Sequence, residues 1–499
     1  MSRMVVVAAA LLVAGTAGCG TDDSAGTQAG AGSGAAGEAG SSAGTGGGET
    51  GSGGAEAGSG GADQAGSGGG AEAGSGGAAG EAGGTAGADA GGGAAGTTPE
   101  AMQVVGSSKS RLLAPEVPAG DAEALRAGNA AFALDLYQVL RAEAERQGEN
   151  IFFSPHSISI ALGMTYAGAR GNTEAQMADA LHFTLEQEKL HPAFNQLDLA
   201  LRSRAEPSGE DANGFRLSVV NSIWPQKDYP FLPDFLDVLG VHYGASLYLL
   251  DFISDPEGSR LVINDWVAGQ TENRIQDLIP EGVISALTRL VLTNAVYFNA
   301  AWQTPFDEAD TTEGAFTRLD GTEVTVPMMR QTADMDWASG SGWQAVALPY
   351  EREELGMALI LPDDFEAFES SLDLAALDAI LDALSLHSVD ITLPKFSFDS
   401  SFSLKDALIS LGMTDAFDDR SDFSGMDGSL DLYIEAVLHK AFVDVNEAGT
   451  EAAAATAVVV NWRGLPEPTA IVLDRPFLFL IWDGPTGAIL FLGRVVDPS

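Results

Sequence analysis

One segment near the C-terminus limits what this chain can fold into. Residues 446–463 read Asn-Glu-Ala-Gly-Thr-Glu-Ala-Ala-Ala-Ala-Thr-Ala-Val-Val-Val-Asn-Trp-Arg, and the fold must accept them both as a mobile loop and as a buried strand. From Thr450 to Arg463 there is no proline and no glycine to obstruct an extended conformation. Side chains on a strand alternate between faces, so Thr450, Ala452, Ala454, Thr456, Val458 and Val460 share one face, all uncharged and small. The other face carries Glu451, the only charge before Arg463. Alanine-rich sequence has weak strand propensity, and Gly449 offers a pivot, so nothing local makes the strand form early. It is a strand held in reserve.

The run Glu447-x-Gly449-Thr450-Glu451-Ala452-Ala453-Ala454 resembles the hinge of inhibitory serpins. The resemblance continues in order through Asn129-x-x-Phe132-Ala133-x-x-Leu136-Tyr137, the run from Asn150 to Ser157 that reads Asn-Ile-Phe-Phe-Ser-Pro-His-Ser, the run from Thr293 to Trp302, and Pro476-Phe477-Leu478-Phe479. It covers residues 115 to 499. It implies an α+β serpin fold, with three β-sheets, eight or nine helices and an exposed C-terminal reactive loop. It further implies that a protease attacks the loop and forms an acyl-enzyme ester. The cut loop then inserts into the central sheet and drags the protease away. Residues 450–463, at about 3.3 Å per residue, would span roughly 45 Å.

In this family the residue on the acyl side of the scissile bond is the seventeenth when the hinge glutamate is the first. Counting from Glu447 gives Arg463, with Gly464 on the leaving side. An arginine there suits a trypsin-like serine protease, whose specificity pocket ends in a carboxylate and takes Arg through a charge-assisted anchor. The alternative is cleavage at Trp462 or nearby, with Arg463 an exposed loop charge. Trp462 beside the bond favours proteases that accept an aromatic group in the neighbouring subsite. The resemblance also places Ser154, Ser157, Asn294 and His439 in a polar cluster under the centre of the main sheet, where strands part to admit the loop. It places Trp302 at the top of the insertion path.

Composition divides the chain before any of this chemistry begins. Residues 1–18 hold Arg3, an apolar run from Met4 to Val13, and then small residues, the pattern of a secretory signal rather than a membrane span of about 20 apolar residues. Cys19, the single cysteine, follows Thr16-Ala17-Gly18 and resembles a bacterial lipoprotein cleavage site, where the thiol is diacylated. The departure is Thr16, where leucine is usual, and an ordinary secretion signal with an incidental cysteine is the alternative. With one cysteine the folded part has no disulfide. Residues 19–110 read as the lipidated cysteine and a disordered Gly/Ala/Ser-rich tether, about 50 Å long on average by Gly/Ser coil scaling, and residues 111–499 as the folded domain. The expected location is extracytoplasmic, as an envelope lipoprotein or secreted protein, with membrane contact only through the N-terminal anchor.

The formal net charge is −45, yet the first hundred residues hold only ten of the 70 acids, so the acidity belongs to the folded domain. Such a field repels nucleic acid and anionic polysaccharide, and no nucleic-acid partner is expected. The six histidines form no pair at i, i+4 spacing, so neither metal nor cofactor is expected. No Gly-x-Ser-x-Gly elbow or phosphate-cradling loop is present, and the chain reads as a non-enzyme. Phe132, Leu136, Val139 and Leu140 lie on one helical face in a helix ended by Gly148, and residues 215–224 alternate as a half-buried strand. Runs at 357–361, 390–393, 441–445 and 477–482 also read as strands. The expected function is that of a monomeric, irreversible suicide-substrate inhibitor. Its alternatives are a non-inhibitory serpin acting as a carrier, chaperone or binding protein, and a surface lipoprotein that uses the scaffold for display.

Overall fold

The computed structural model describes residues 102–143, 146–204, 216–351, 354–450 and 467–499, with the backbone alone for 216–219. Cys19, Ala452, Ala453, Ala454, Trp462, Arg463 and Gly464 lie outside the described residues.

Among the described residues the strands are β1 (Gln103–Val105), β2 (Ile151–Phe153), β3 (Arg216–Pro225), β4 (Leu247–Leu249), β5 (Leu290–Ala301), β6 (Thr312–Thr317), β7 (Glu323–Gly340), β8 (Trp343–Pro349), β9 (Leu355–Pro362), β10 (Ser385–Pro394), β11 (Phe396–Ser403), β12 (Ala436–Val445), β13 (Gly449–Thr450), β14 (Thr469–Val472), β15 (Phe477–Asp483) and β16 (Ala488–Val495). One sheet has the order β1-β4-β3-β5-β13-β12-β11. The rest form a continuous array, β14-β10-β7-β8-β9-β15-β16-β2, with β6 beside β7. The 18-residue β7 changes partners along its length: its start pairs with β6, Met328–Trp337 with β10, and its end with β8. The result is the expected α+β fold.

The helices that matter for the site are α1 (Ala119–Ala142), α2 (Pro155–Tyr166), α3 (Gly171–Ala180), α4 (Gln187–Arg204), α5 (Pro233–Val238) and α6 (Pro256–Gln270). Helix α2 starts where it does for a local reason. Ser154 accepts a hydrogen bond from the Ser157 amide, and Pro155 fills the first position, where a missing N–H costs nothing. Its twelve residues are all buried. Helix α1 stops at Ala142 rather than running to the expected Gly148, which instead takes φ +83 in the turn beyond it.

Strand β5 is buried on both faces and accordingly reads as a nearly continuous apolar run. Val291 and Ala295 meet α6 residues Ile263 and Val267 in one cluster, while Val296, Phe298 and Ala300 pack with Phe152, Phe479 and Phe491 in another. Among its polar residues, Thr293 and Asn294 are both buried and hydrogen-bonded.

The tether expected over 19–110 is corrected at its C-terminal end. Gln103–Val105 pairs antiparallel with β4, and Ser107 and Lys109 bond Asp237 just beyond, Lys109 at 2.7 Å. The physical cause is the free edge of β4, whose unpaired backbone groups accept a short strand containing two β-branched valines.

Candidate functional site: the hinge and the polar cluster

Residues 445–450 fold into a tight reversal at one end of the seven-stranded sheet. The Asn446 amide donates to Gly449 O at 3.0 Å, and the Gly449 amide donates back to Asn446 O at 3.3 Å. The chain then returns as β13, antiparallel to β12 at Val445–Thr450 and to β5 at Gly449–Ala301 and Thr450–Ala300. Gly449 is required by close approach: a Cβ there would fall on the carbonyl of Ala300 and 2.7 Å from Ala301 Cα. Thr450 is 1% exposed. These two residues therefore already lie between β5 and β12.

Side chains distant in sequence hold the reversal. Trp302 Nε1 donates to Asn446 O at 3.0 Å, and its backbone amide donates to Ala448 O at 3.0 Å. Its ring stacks on Tyr350 at 4.7 Å. The Tyr350 hydroxyl shares a 2.8 Å hydrogen bond with the Thr450 hydroxyl, and burial pushes that phenol far up in pKa, so it stays neutral. Glu447 is buried, with its carboxylate paired to Lys395 Nζ at 2.8 Å and accepting from Thr311 Oγ1 at 2.8 Å. Burial alone would raise its pKa. The bonds from Lys395 and Thr311 outweigh that and hold it below the ordinary value.

Below the hinge, β5 and β12 pair directly and in parallel, from Val291–Ala436 to Tyr297–Phe442. Asn294 and His439 are partners in that register, and Asn221 on β3 is the partner of Asn294 on the other side. The structure brings Ser154, Ser157, Asn294 and His439 into one network. The Ser154 amide donates to His439 Nε2 at 3.1 Å, so the imidazole proton sits on Nδ1 and is donated to Asn294 Oδ1. The Asn294 amide nitrogen donates to Ser157 Oγ at 2.5 Å and to Asn221 Oδ1. Ser157 Oγ donates to Asn221 Oδ1 at 3.1 Å, and Ser154 Oγ donates to Leu490 O at 2.6 Å. His439 is fully buried under the Phe402 ring, and that burial lowers its pKa to about 3. The network is consistent only with a neutral imidazole.

Trp302 belongs to the hinge and not to this network. Sequence reasoning missed Asn221, Tyr350, Thr311 and Lys395. A signal existed for Asn221 alone, because strand alternation puts it on the same face as buried Ile223, where a polar side chain needs a partner. Among the described residues no cluster of three or more His, Cys, Asp or Glu side chains could hold a metal ion, and no helix is long and apolar enough to cross a membrane.

A family model described as Serpin (serine protease inhibitor) matches residues 127–498. The chain belongs to the serpin family. It is 40% identical to an uncharacterized serpin-like protein of Thermococcus kodakarensis, over 74% of this chain and 84% of the relative. It is 39% identical to the leukocyte elastase inhibitor of Bos taurus, over 75% of this chain and all of the relative. Among solved structures, human thyroxine-binding globulin superposes with a TM-score of 0.68 and 29% identity, over 76% of this serpin and all of that chain. Relatives of this serpin thus include one named as a protease inhibitor and one named for binding a small molecule.

Proposed function

We propose that this serpin is a suicide-substrate inhibitor of a trypsin-like serine protease, cut between Arg463 and Gly464 and tethered through Cys19 outside the cytoplasm. The observation that carries the reading is the hinge. Gly449 and Thr450 occupy the top of the seam between β5 and β12, and the next residues, Glu451 and four alanines, offer nothing bulky on the face that continues from Thr450.

In this mechanism the loop, once cut, extends β13 downward and displaces the direct pairing of β5 with β12. The bond between His439 and Asn294 is the link in the polar network that joins those two strands directly. When it breaks, each partner retains a second contact. His439 still accepts from Ser154, and Asn294 still donates to Ser157 and Asn221. Opening the sheet therefore leaves one imidazole N–H and one amide oxygen to be matched by the entering strand, rather than a whole set of stranded polar atoms. Trp302 and Tyr350 act as the guide at the entry point. The protease is held because the ester is carried away before water hydrolyses it.

The test is incubation with trypsin. The expected product is an SDS-stable adduct of protease and serpin, with release of a short peptide that begins at Gly464. Clean cleavage with trypsin left fully active would assign the protein to the non-inhibitory, carrier-like class instead.

A further inference from the structure

On the far side of the first turn of α2 lies a cavity of about 490 Å³, between α1, α4 and the turn joining β15 to β16. Its walls are mainly apolar, including Leu125, Ala193, Leu197 and Ile489. The volume lies within the range of about 300–1,000 Å³ typical of small-molecule sites. Of the polar side chains that line it, Asn129 and His156 are the two that are buried, and Asn129 Oδ1 and His156 Nδ1 have no hydrogen-bond partner. Unmatched buried atoms are rare in native proteins and call for an explanation.

The charges around the cavity define what it can accept. Arg126 at its edge is already matched by Glu123 through two bonds, at 2.6 and 2.9 Å. His156 is lowered by burial to about 4, against the opposing field of Asp198 and Asp483, and is neutral at pH 7. No unmatched cation awaits an acid, and the nearby carboxylates repel one. A neutral imidazole and an amide both donate and accept, which suits a hydroxyl.

We propose that this cavity is a binding site for a small uncharged molecule with an apolar ring body and a single hydroxyl, the body against α1 and α4 and the hydroxyl toward Asn129 and His156. The site is separate from the hinge, and its occupancy is read without any protease.

The probe is 2-naphthol, titrated into the full chain by calorimetry and by nitrogen NMR of the histidine rings. The expected result is saturable one-to-one binding with a shift of the His156 ring signals. Asn129→Leu removes the amide at nearly constant volume and should weaken binding about tenfold, the loss of one hydrogen bond. Ala200→Trp on α4 should abolish binding by filling the cavity, and Ala122→Trp fills it from α1 if the first variant does not fold. Absence of saturable heat, an unmoved His156 signal, or undiminished binding in a folded tryptophan variant would each overturn the proposal.

Discussion

His439 and Asn294 face each other as register partners across the β5–β12 seam, and the proton they share resides on His439 Nδ1 because Nε2 accepts the Ser154 amide. A second proton on that ring would point an N–H at an N–H.

The first prediction follows from that exclusion. Burial lowers His439 and His191 to about 3 and His156 to about 4, whereas an unfolded histidine titrates near 6.5. Between those values the unfolded chain binds protons that the native chain refuses. Stability is therefore fully present above about pH 6.5 and falls with pH below it, by about 1.4 kcal/mol per unit for each such histidine. The urea midpoint should drop steeply from pH 7 to pH 4, and the NMR signal of His439 should not titrate between pH 5 and 8. Ordinary titration near 6.5 would contradict the network.

Thr450→Arg probes the hinge. Thr450 is buried against Tyr350, and an unpaired buried charge costs several kcal/mol. The variant should expel β13 and slow loop entry by at least about tenfold, so that trypsin cuts at Arg463 and departs active. Glu451→Arg, on the opposite face, is the control and should trap nearly as well as the parent. Stoichiometry of inhibition separates the two, and equal trapping by both variants would refute insertion.

Arg463→Ala removes the charged anchor. Loss of a charge-assisted hydrogen bond of about 1.5–3 kcal/mol should reduce trypsin trapping by roughly 10- to 150-fold. Arg463→Lys should restore most of it. Second-order rate constants measure both, and an unchanged rate in the alanine variant would move the scissile bond elsewhere.

On the proposed anchor, Cys19→Ser should shift the protein from the membrane pellet to the soluble extracytoplasmic fraction, because stable anchoring needs two lipid signals and a diacylated Cys19 would supply both chains. Unchanged retention after cell fractionation would dismiss the lipid anchor.

Part of the architecture was legible because runs such as 441–445 in β12 and 477–482 in β15 carry strand character, and because the hinge residues and the run from Thr293 to Trp302 stand in family order. What was not legible has a physical reason in each case. Lys395 and Thr311 reach Glu447 across 52 and 136 residues of chain, and no local pattern marks a residue that acts through so distant a contact. Tyr350 lies 48 residues beyond Trp302 and 100 before Thr450, and its role arises only when the fold brings it against both. The short β1 follows a Gly-rich tract and owes its form to the edge of β4 rather than to its own propensity.

The orientation of three strands has a consequence for direction and for drive. β5 and β12 are parallel neighbours, while β13 runs against both. Slanted parallel bonds are slightly weaker per residue than antiparallel ones, so each residue that the proposed insertion adds below Thr450 would exchange one weaker rung for two stronger ones. The polarity also fixes the end from which the zipper can close, since a strand opposed to both neighbours and tethered at Val445 can advance only from the Thr450 end. On the proposed insertion mechanism, the work for displacing a protease would be spread along the seam as a per-residue increment rather than stored in a single side chain.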